Sequence, residues 1–377
     1  MGWQEASVVE QRFEFVTLAS AQGANIADLC RRFGVSRQTG YKWLVRFRLQ
    51  QKDGLSDRPR RPHTSPEKSP AEVEQAVLAL RDAHPAWGGR KLRARLLMTG
   101  HHDAPAASTI TAILRRHGRL DPAASPAHAP FTRFERAAPN QLWQMDFKGH
   151  VLMHRGGRCH PLTIIDDHSR FSVGLLACGD ERIETVRGHL IDVFRRYGVP
   201  EAMLADNGAP WGAPQGRSAY TRLGVWLLRL GVTLSHGRPW HPQTQGKNER
   251  FNKTLKAELL SRADLVDLRQ AQSSFDRWRD VYNLERPCEA IGLAVPASRY
   301  RPSKRAYPER LPELEFSPGD TVKRVKHDGT FHLLGRPWHI GEAFAHEHVG
   351  VRRTAQGHIE ARYGPHLVGV FNPQHCQ

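Results

Sequence analysis

Residues 141–147 read Gln-Leu-Trp-Gln-Met-Asp-Phe, an apolar run that contains a single carboxylate. Trp143, Met145 and Phe147 are typical of a strand that is at least half buried. A carboxylate among such neighbours is unfavourable unless it is paired or binds a metal ion. We therefore interpret this stretch as the first strand of a sheet domain and Asp146 as a candidate functional residue.

Two other acidic residues lie in comparable settings further along the chain. Asp206, in Leu-Ala-Asp-Asn-Gly, ends a short predicted strand and precedes a turn dipeptide, and Glu249, in Gly-Lys-Asn-Glu-Arg, lies near the start of an amphipathic helix. Alone, each has an ordinary reading, as a turn residue or a surface helix residue. The two aspartates are separated by 59 residues, and 42 separate Asp206 from Glu249. A five-stranded α/β domain can bring all three to one edge of its sheet.

Three carboxylates at one site on a basic protein suit Mg²⁺ or Mn²⁺. Two such ions, roughly 3.5–4 Å apart, can clamp the attacking and leaving oxygens of a phosphoryl displacement. We therefore expect Asp146, Asp206 and Glu249 to be catalytic and to bind two Mg²⁺ (or Mn²⁺) ions. Lys253 and Lys256 share the helix face of Glu249 and are candidate DNA contacts, although ion pairing with Glu249 is the alternative.

Several polar residues lie near these three acids in the sequence. Asp166 and Asp167 occupy a strand-to-turn junction, where aspartate commonly stabilises the turn, so we favour a structural role for them over direct metal ligation. His241, Gln243 and Gln245 form a polar approach to the helix of Glu249 and could contact DNA.

Composition restricts the class of protein. The chain of 377 residues has 55 Lys and Arg against 38 Asp and Glu, a formal net charge of +17, which favours association with polyanions. Its apolar residues form no run of 18 or more, so we expect no membrane span, and we expect no secretory signal. The five cysteines are scattered without a Cys-x-x-Cys pair, which argues against a zinc ribbon or a disulfide framework and fits a reducing cytoplasm.

The pattern of residues 25–44 predicts a helix-turn-helix. Gly34 would form the turn and Ser36 would cap the second helix. We expect the buried side of that helix to include Tyr41, Leu44, Val45 and Phe47. Its polar side would then offer to the major groove of DNA the side chains of Arg37, Gln38, Lys42 and Arg46. A generic helical hairpin is the alternative, but residues 31–62 carry ten Lys or Arg and only two Asp.

The remaining patterns predict a multidomain chain. An all-α helix-turn-helix domain (residues 1–53) and a basic, proline-rich linker (54–70) precede a second helix-turn-helix-like domain (71–120), in which Ser108 would cap a third helix that Gly118 ends. A helical spacer is the alternative for this second domain. We expect a linker at 121–138, an α/β domain at 139–300 and a small β-rich domain at 301–377.

Four motifs together resemble the catalytic core of the retroviral-integrase-like superfamily of DDE transposases. They are Trp143-Gln-Met-Asp-Phe-Lys, Ile165-Asp-Asp-His-Ser-Arg-Phe, Asp206-Asn-Gly-Ala-Pro-Trp and residues 241–256, His-Pro-Gln-Thr-Gln-Gly-Lys-Asn-Glu-Arg-Phe-Asn-Lys-Thr-Leu-Lys. Within the superfamily, the match is closest to the four-eighty-one group of bacterial insertion-sequence transposases, to which the segment Gly54-Leu-Ser-Asp-Arg-Pro-Arg-Arg-Pro is also similar. The spacing before Glu249 is longer than in many integrases, and an insert around Trp211–Arg222 accounts for this.

The resemblance implies an RNase H-like fold with Asp146, Asp206 and Glu249 as the catalytic triad. It also implies a bacterial, nucleoid-associated enzyme that binds the inverted repeats of its element as at least a dimer and joins them to target DNA. Two alternatives remain from the sequence. One is an RNase H-type nuclease on the same fold, and the other is an inactive, transposase-derived DNA-binding regulator.

Overall fold

The computed structural model describes residues 7–58, 69–120, 135–212, 220–236 and 246–373. Within these ranges the α-helices are α1 (Val8–Ala19), α2 (Ile26–Arg32), α3 (Arg37–Gln50), α4 (Ala71–Ala83), α5 (Gly89–Met98), α6 (Ala107–Arg116), α7 (Ile183–Tyr197), α8 (Arg222–Arg229), α9 (Gly246–Leu255) and α10 (Leu268–Leu284). The strands are β1 (Trp143–Phe147), β2 (Val151–Leu152), β3 (Arg158–Asp166), β4 (Ser172–Cys178), β5 (Ala202–Ala205), β6 (Thr233–His236), β7 (Thr321–Arg324), β8 (Thr330–Leu333), β9 (Arg336–His339), β10 (His348–Arg353), β11 (Ile359–Tyr363) and β12 (His366–Phe371).

The chain divides into two compact units, residues 1–68 and residues 69–377. None of the helices in the described ranges has the length and apolar character needed to cross a membrane.

The first unit contains the predicted helix-turn-helix, which is formed by α2 and α3 and follows α1 in the chain. Asn25 caps α2 by accepting a hydrogen bond from the backbone N–H of Ala27 (3.1 Å), and Ser36 caps α3 by accepting one from that of Thr39 (3.1 Å). Gly34 has a φ of +64°, a left-handed conformation that glycine adopts without strain. The turn and the cap of α3 are therefore confirmed.

The expected buried side of α3 is partly wrong. Leu44 is buried and Phe47 packs against the core, but Tyr41 and Val45 are each 53% exposed, and Gly40 and Trp43 are buried instead. The helix rotates in this way because Gly40 is the point of closest approach to its neighbours. A Cβ atom on Gly40 would lie 2.6 Å from the Cys30 Sγ atom. Glycine adds nothing to a hydrophobic pattern, so the sequence did not indicate this contact.

The packed part of the first unit extends beyond residue 53. A 3₁₀ helix spans Gln51–Leu55, and Leu55 is completely buried in the core of α1–α3. Arg12 donates a hydrogen bond to the carbonyl oxygen of Leu55 (2.8 Å) and pairs with Asp57 (3.0 Å). The first residues of the predicted linker thus belong to the helical unit, while its residues 59–68 lie outside the described ranges.

The second helical group, α4–α6, begins the second unit and matches the three predicted helices. Its core includes Trp87, Leu92 and Ile110. Gly118 has a φ of +65° just after α6, as expected for a residue that ends a helix. The predicted cap is wrong, because α6 begins at Ala107, one residue before Ser108, and its N-cap residue Ala106 provides no side-chain hydrogen bond.

The central sheet has the strand order β2-β3-β1-β5-β6, with β4 paired to β3. Strands β1, β3 and β4 pair in antiparallel fashion, whereas β5 pairs in parallel with both β1 and β6. One face packs against α7 and α8 through an apolar core, and the other packs against α9 and α10 through another. The predicted mixed α/β domain is confirmed, and β2 is a short additional strand.

The C-terminal β-rich region is also confirmed. Strands β12-β11-β10-β7 form a four-stranded antiparallel sheet, and β8 and β9 form a hairpin. Val225 and Leu228 of α8 share the apolar core of this region, so α8 contacts both sheets. Glu347 accepts hydrogen bonds from Arg229 of α8 (3.0 Å) and from the hydroxyl of Tyr363 (2.9 Å), which adds a polar link between them.

Two helical glycines of the second unit allow a test of close packing. A Cβ atom on Gly89, the first residue of α5, would lie 2.5 Å from the carbonyl oxygen of Ala107, whereas one on Gly188 in α7 would meet nothing within 4 Å. We expect Gly89→Ala to lower the free energy of unfolding by about 1–3 kcal/mol through overpacking. Gly188→Ala should raise it by about 0.5–1 kcal/mol, because alanine favours the helix. Chemical denaturation measures the free energy of unfolding of both variants. Equal effects would contradict the close contact between Gly89 of α5 and Ala107 of α6.

Candidate active site

Asp146 and Asp206 lie on neighbouring parallel strands at the same level. In the pairing of β1 with β5, Trp143 is opposite Met203 and Gln144 is opposite Leu204. Continuing this register places Asp146 level with Asp206, the residue that follows β5. Adjacent strands are roughly 4.8 Å apart, and level residues of a parallel pair point to the same face. The sheet therefore brings the first two predicted acids together.

The face that carries Asp146 is the one covered by α9. Trp143 and Met145 are buried in the core on the side of α7 and α8, so the alternate residues Gln144 and Asp146 point to the opposite side. There the Nδ2 atom of Asn252 in α9 donates a hydrogen bond to Oδ2 of Asp146 (2.9 Å). Glu249 precedes Asn252 by three residues and so lies one turn away on the same helix.

A second contact fixes α9 across the sheet. The hydroxyl of Thr163 on β3 lies 2.9 Å from the carbonyl oxygen of Asp146 and 3.2 Å from Oδ1 of Asn248. Asn248 and Asn252 are both buried, whereas Glu249 between them is exposed. Asn248 and Asn252 thus attach α9 to the sheet by hydrogen bonds, while the side chain of Glu249 is exposed to solvent.

The pKa of Asp146 is raised by burial and by the negative charges of the other two acids. Burial is the main cause that raises this pKa, to about 6, and repulsion from Asp206 and from Glu249 adds to it. Lys148 and the backbone N–H of Phe147 act in the opposite direction. Asp146 is therefore repelled by both of the other predicted acids, although no group of three His, Cys, Asp or Glu side chains in the described ranges converges closely enough to hold a metal ion.

The loop after β5 is held against the strand of Asp146. Oδ1 of Asp206 accepts a hydrogen bond from the backbone N–H of Gly208 (3.1 Å), and the carbonyl oxygen of Asp206 lies 2.7 Å from Nδ1 of His236. Trp211 is buried and stacks on Phe147, with ring centroids 5.5 Å apart. These contacts orient Asp206 on the sheet edge. Residues 213–219 of the predicted insert lie outside the described ranges.

Asp166, the last residue of β3, is completely buried where the turn to β4 begins. Its carboxylate accepts hydrogen bonds from the backbone N–H and the hydroxyl of Ser169 (2.7 and 2.6 Å) and from the backbone N–H of Asn140 (2.7 Å). Burial raises the pKa of Asp166, and these hydrogen bonds oppose that shift. Such contacts agree with the turn-stabilising role expected for Asp166.

Asp167 connects three parts of the domain. It is 1% exposed, accepts hydrogen bonds from the side chain of Gln144 (2.8 Å) and the backbone N–H of Arg136 (2.8 Å), and pairs with Lys247 of α9. Gln144 is two residues from Asp146, and Lys247 is two residues from Glu249. Sequence reasoning missed Lys247 and Asn252, because no local pattern indicates which distant residue a side chain will meet.

The predicted DNA contacts are mostly on the surface. In α3, Arg37, Gln38 and Lys42 are exposed and Arg46 is half-buried. Lys253 and Lys256 are also exposed. The amphipathic helix expected at Glu249 is α9, which ends at Leu255 and is followed by a π-helical segment at Lys256–Leu260. His241, Gln243 and Gln245 lie outside the described ranges.

The buried pair of Asp167 and Lys247 allows a test of how α9 is held. Asp167→Ala would remove a carboxylate that is 1% exposed, pairs with Lys247 and accepts a hydrogen bond from Gln144, so we expect the free energy of unfolding to fall by about 3–5 kcal/mol. Asp264→Ala removes the partner of His154 in an exposed pair and should change it by less than about 1 kcal/mol. Urea denaturation of both variants measures the difference, and similar small effects would contradict a structural role for the buried pair.

The raised pKa of Asp146 predicts a stability that depends on pH. The folded protein binds the proton of Asp146 more tightly than the unfolded chain, in which the pKa is near 3.8, so stability from this group falls as the pH rises from about 4 to about 6. Without added metal, Asp146→Asn should therefore be more stable than the parent above pH 6, by about 1–3 kcal/mol, and equal to it near pH 4.

The measurement is denaturant unfolding across this pH range with a chelator present. Asp280→Asn makes the same chemical change at an exposed position of α10 and serves as the control. An Asp146→Asn variant that is less stable than the parent at pH 7 would show that the carboxylate is favourable in the metal-free fold and would overturn the electrostatic description.

Comparison with known protein families gives four matches. Two models of an integrase core domain match residues 136–242 and 230–296. A helix-turn-helix domain model matches residues 11–63, and a homeodomain-like domain model matches residues 39–114. The first pair covers the sheet with α7–α10, and the second pair covers the helical segments before it.

Among curated relatives, an uncharacterized protein of insertion element IS407 from Burkholderia multivorans is 29% identical over 162 residues, which are 42% of this chain and 55% of the relative. The Gag-Pol polyprotein of avian reticuloendotheliosis virus is 27% identical over 280 residues, 62% of this chain and 23% of that polyprotein. The chain thus spans only part of the length of these relatives.

Among solved structures, the catalytic core domain of BIV integrase is similar at 22% identity with a TM-score of 0.32, over 42% of this chain and 92% of that domain. The sequence matches identify the central region by themselves. Residues 136–296 carry an integrase core domain of the retroviral-integrase-like superfamily, and helix-turn-helix domains precede it.

Proposed function

We propose that this protein is a DDE transposase of the four-eighty-one group, which binds the terminal inverted repeats of an insertion sequence and catalyses metal-dependent DNA strand cleavage and strand transfer. The observation that carries the proposal is the shared level of Asp146 and Asp206 on paired strands beneath the helix of Glu249. The integrase core and helix-turn-helix matches support the same class of activity.

The proposal assigns Asp146, Asp206 and Glu249 as ligands of two Mg²⁺ or Mn²⁺ ions. Their carboxylate oxygens are ligands that these ions prefer. Burial raises the pKa of Asp146, repulsion from Asp206 and Glu249 adds to the rise, and positive charge would relieve that repulsion. When bound, such ions supply Lewis-acid polarisation of a phosphodiester and neutralise its charge.

The protein's own side chains prepare the site for this chemistry. Asn252 holds one oxygen of Asp146 in place, and the backbone N–H of Gly208 orients Asp206. Lys148 brings positive charge close to the same edge of the sheet. Water and a DNA 3′-hydroxyl are the two nucleophiles that strand cleavage and strand transfer require, so no protein nucleophile is needed.

DNA binding is assigned to three surfaces. In the first unit, α3 would enter the major groove with Arg37, Gln38, Lys42 and Arg46, and α4–α6 would read a further part of the repeat. Beside the active site, the exposed Lys253 and Lys256 would hold the phosphate backbone of the DNA end. Because two element ends must be joined to one target, we propose at least a dimer on paired ends.

The two alternatives differ from this proposal in specific ways. An RNase H-type nuclease has little need of sequence reading, whereas helix-turn-helix models match this chain over residues 11–63 and 39–114. An inactive regulator would bind the repeats without cutting them. A cleavage assay separates these possibilities.

The decisive assay incubates the full chain and a Glu249→Gln variant with labelled DNA of the element ends and Mg²⁺. We expect nicked ends and joined products from the parent, a loss of activity of at least about 10²-fold in the variant, and equal binding of the ends by both. Glu184→Gln, which makes the same change at an exposed position in the first turn of α7, should keep full activity.

Each other outcome has a definite meaning. Cleavage by the Glu249→Gln variant at the parent's rate would remove Glu249 from the site. Binding without cleavage by the parent would contradict the catalytic proposal and favour the regulator.

A further inference from the structure

The outward face of α3 combines exposed apolar and polar side chains. Gly40, Trp43 and Leu44 are buried, so the opposite side of the helix faces solvent. At 3.6 residues per turn, that side is centred on Gln38, Tyr41, Lys42 and Val45. Tyr41 and Val45 are each 53% exposed. We call these four residues the α3 outer face.

The charge around this face indicates a polyanionic partner. Residues 37–50 contain Arg37, Lys42, Arg46 and Arg48 and no acidic residue. The guanidinium of Arg46 and the ammonium of Lys42 lie 5.0 and 4.8 Å from the ring centre of Trp43, so both cations are held close to the helix. A second copy of α3 packed on the same apolar residues would bring these cations against each other, which is unfavourable. DNA is attracted by them.

In a major groove, exposed apolar side chains have a specific use. Thymine is the base that presents a methyl group there, and apolar side chains discriminate it by contact with that methyl. Arginine and lysine read guanine or hold phosphates, and glutamine pairs with adenine, so the Arg, Lys and Gln side chains of α3 do not recognise the methyl group. Tyr41 and Val45 lie one helical turn apart, on the same side of α3 as Gln38 and Lys42.

We propose that Tyr41 and Val45 are specificity-determining residues that recognise thymine through its C5-methyl group when α3 lies in the major groove. The inference rests on the proposed DNA binding by the first unit and specifies what that helix reads. It assigns a role to two residues that the hydrophobic pattern of the sequence had placed in the core.

The test uses the full chain and a pool of randomised DNA duplexes. The parent is used to select a binding motif, and each thymine of that motif is then replaced by deoxyuridine, which differs only by the missing methyl group. We expect at least one replacement to weaken binding by the parent about fourfold, the effect of burying one methyl group. Val45→Ala or Tyr41→Ala should bind the original motif more weakly and lose its sensitivity to that replacement.

A matched control separates this effect from a general change in the unit. Val8→Ala makes the same substitution at a residue of α1 that is 59% exposed, and it should keep the parent's motif and its sensitivity to deoxyuridine. Because Val45 and Tyr41 are outside the core, we expect both variants to keep the parent's melting temperature.

Three outcomes would overturn the inference. A motif whose deoxyuridine replacements weaken the parent and both α3 variants equally would exclude methyl contact by these residues, while leaving DNA binding intact. A change in the sedimentation of the DNA-free protein caused by Val45→Ala would identify the face as a contact between copies of the chain. Failure of the parent to select any motif would overturn the proposed sequence-specific binding itself, and the inference with it.

Discussion

The hydrogen bond between Asn252 and Asp146 is the contact on which the geometry of the candidate site depends. It joins the helix of Glu249 to the strand of Asp146, whose pairing with β5 sets the position of Asp206. Nearer the start of α9, Asn248 contacts Thr163 and Lys247 pairs with Asp167. Without these polar contacts, the apolar contacts of Phe251 and Leu255 would still hold α9 on the sheet. The rotation of α9 about its own axis would be less well defined.

Burial of the polar groups between α9 and the sheet lowers the free energy of unfolding. Asn248 and Asn252 are buried, and the Nδ2 atom of the first and the Oδ1 atom of the second have no hydrogen-bond partner within the described ranges. Each unsatisfied buried polar atom costs about 1–3 kcal/mol. The Asp146 carboxylate, which is partly buried and is also repelled by Asp206 and Glu249, adds to that cost. Such an accumulation of unfavourable groups in one place is typical of a site selected for function rather than for stability.

The sequence predicted the elements of the fold well, because strands and amphipathic helices leave local periodic signals. The strand of Asp146, the cap at Ser36 and the turn at Gly34 all follow from such signals. The wrong buried side of α3 and the missed partner of Asp167 both arise from contacts between distant residues. Gly40 set the rotation of α3 by its closeness to Cys30, and Asp167 found Lys247 from a separate part of the chain. The metal-binding and catalytic roles of the triad remain predictions, supported by the register of β1 and β5.

Helix α8 has a consequence for dissecting the protein. Leu223, Trp226 and Leu227 belong to the core under the central sheet, whereas Val225 and Leu228 belong to the core of the C-terminal sheet. A helix that is apolar on both sides needs cover on both. A fragment ending near residue 300, at the limit of the integrase core match, would present Val225 and Leu228 to water. Aggregation of such a fragment would therefore reflect the exposed apolar side chains of α8. The integrase core is better isolated together with the C-terminal sheet.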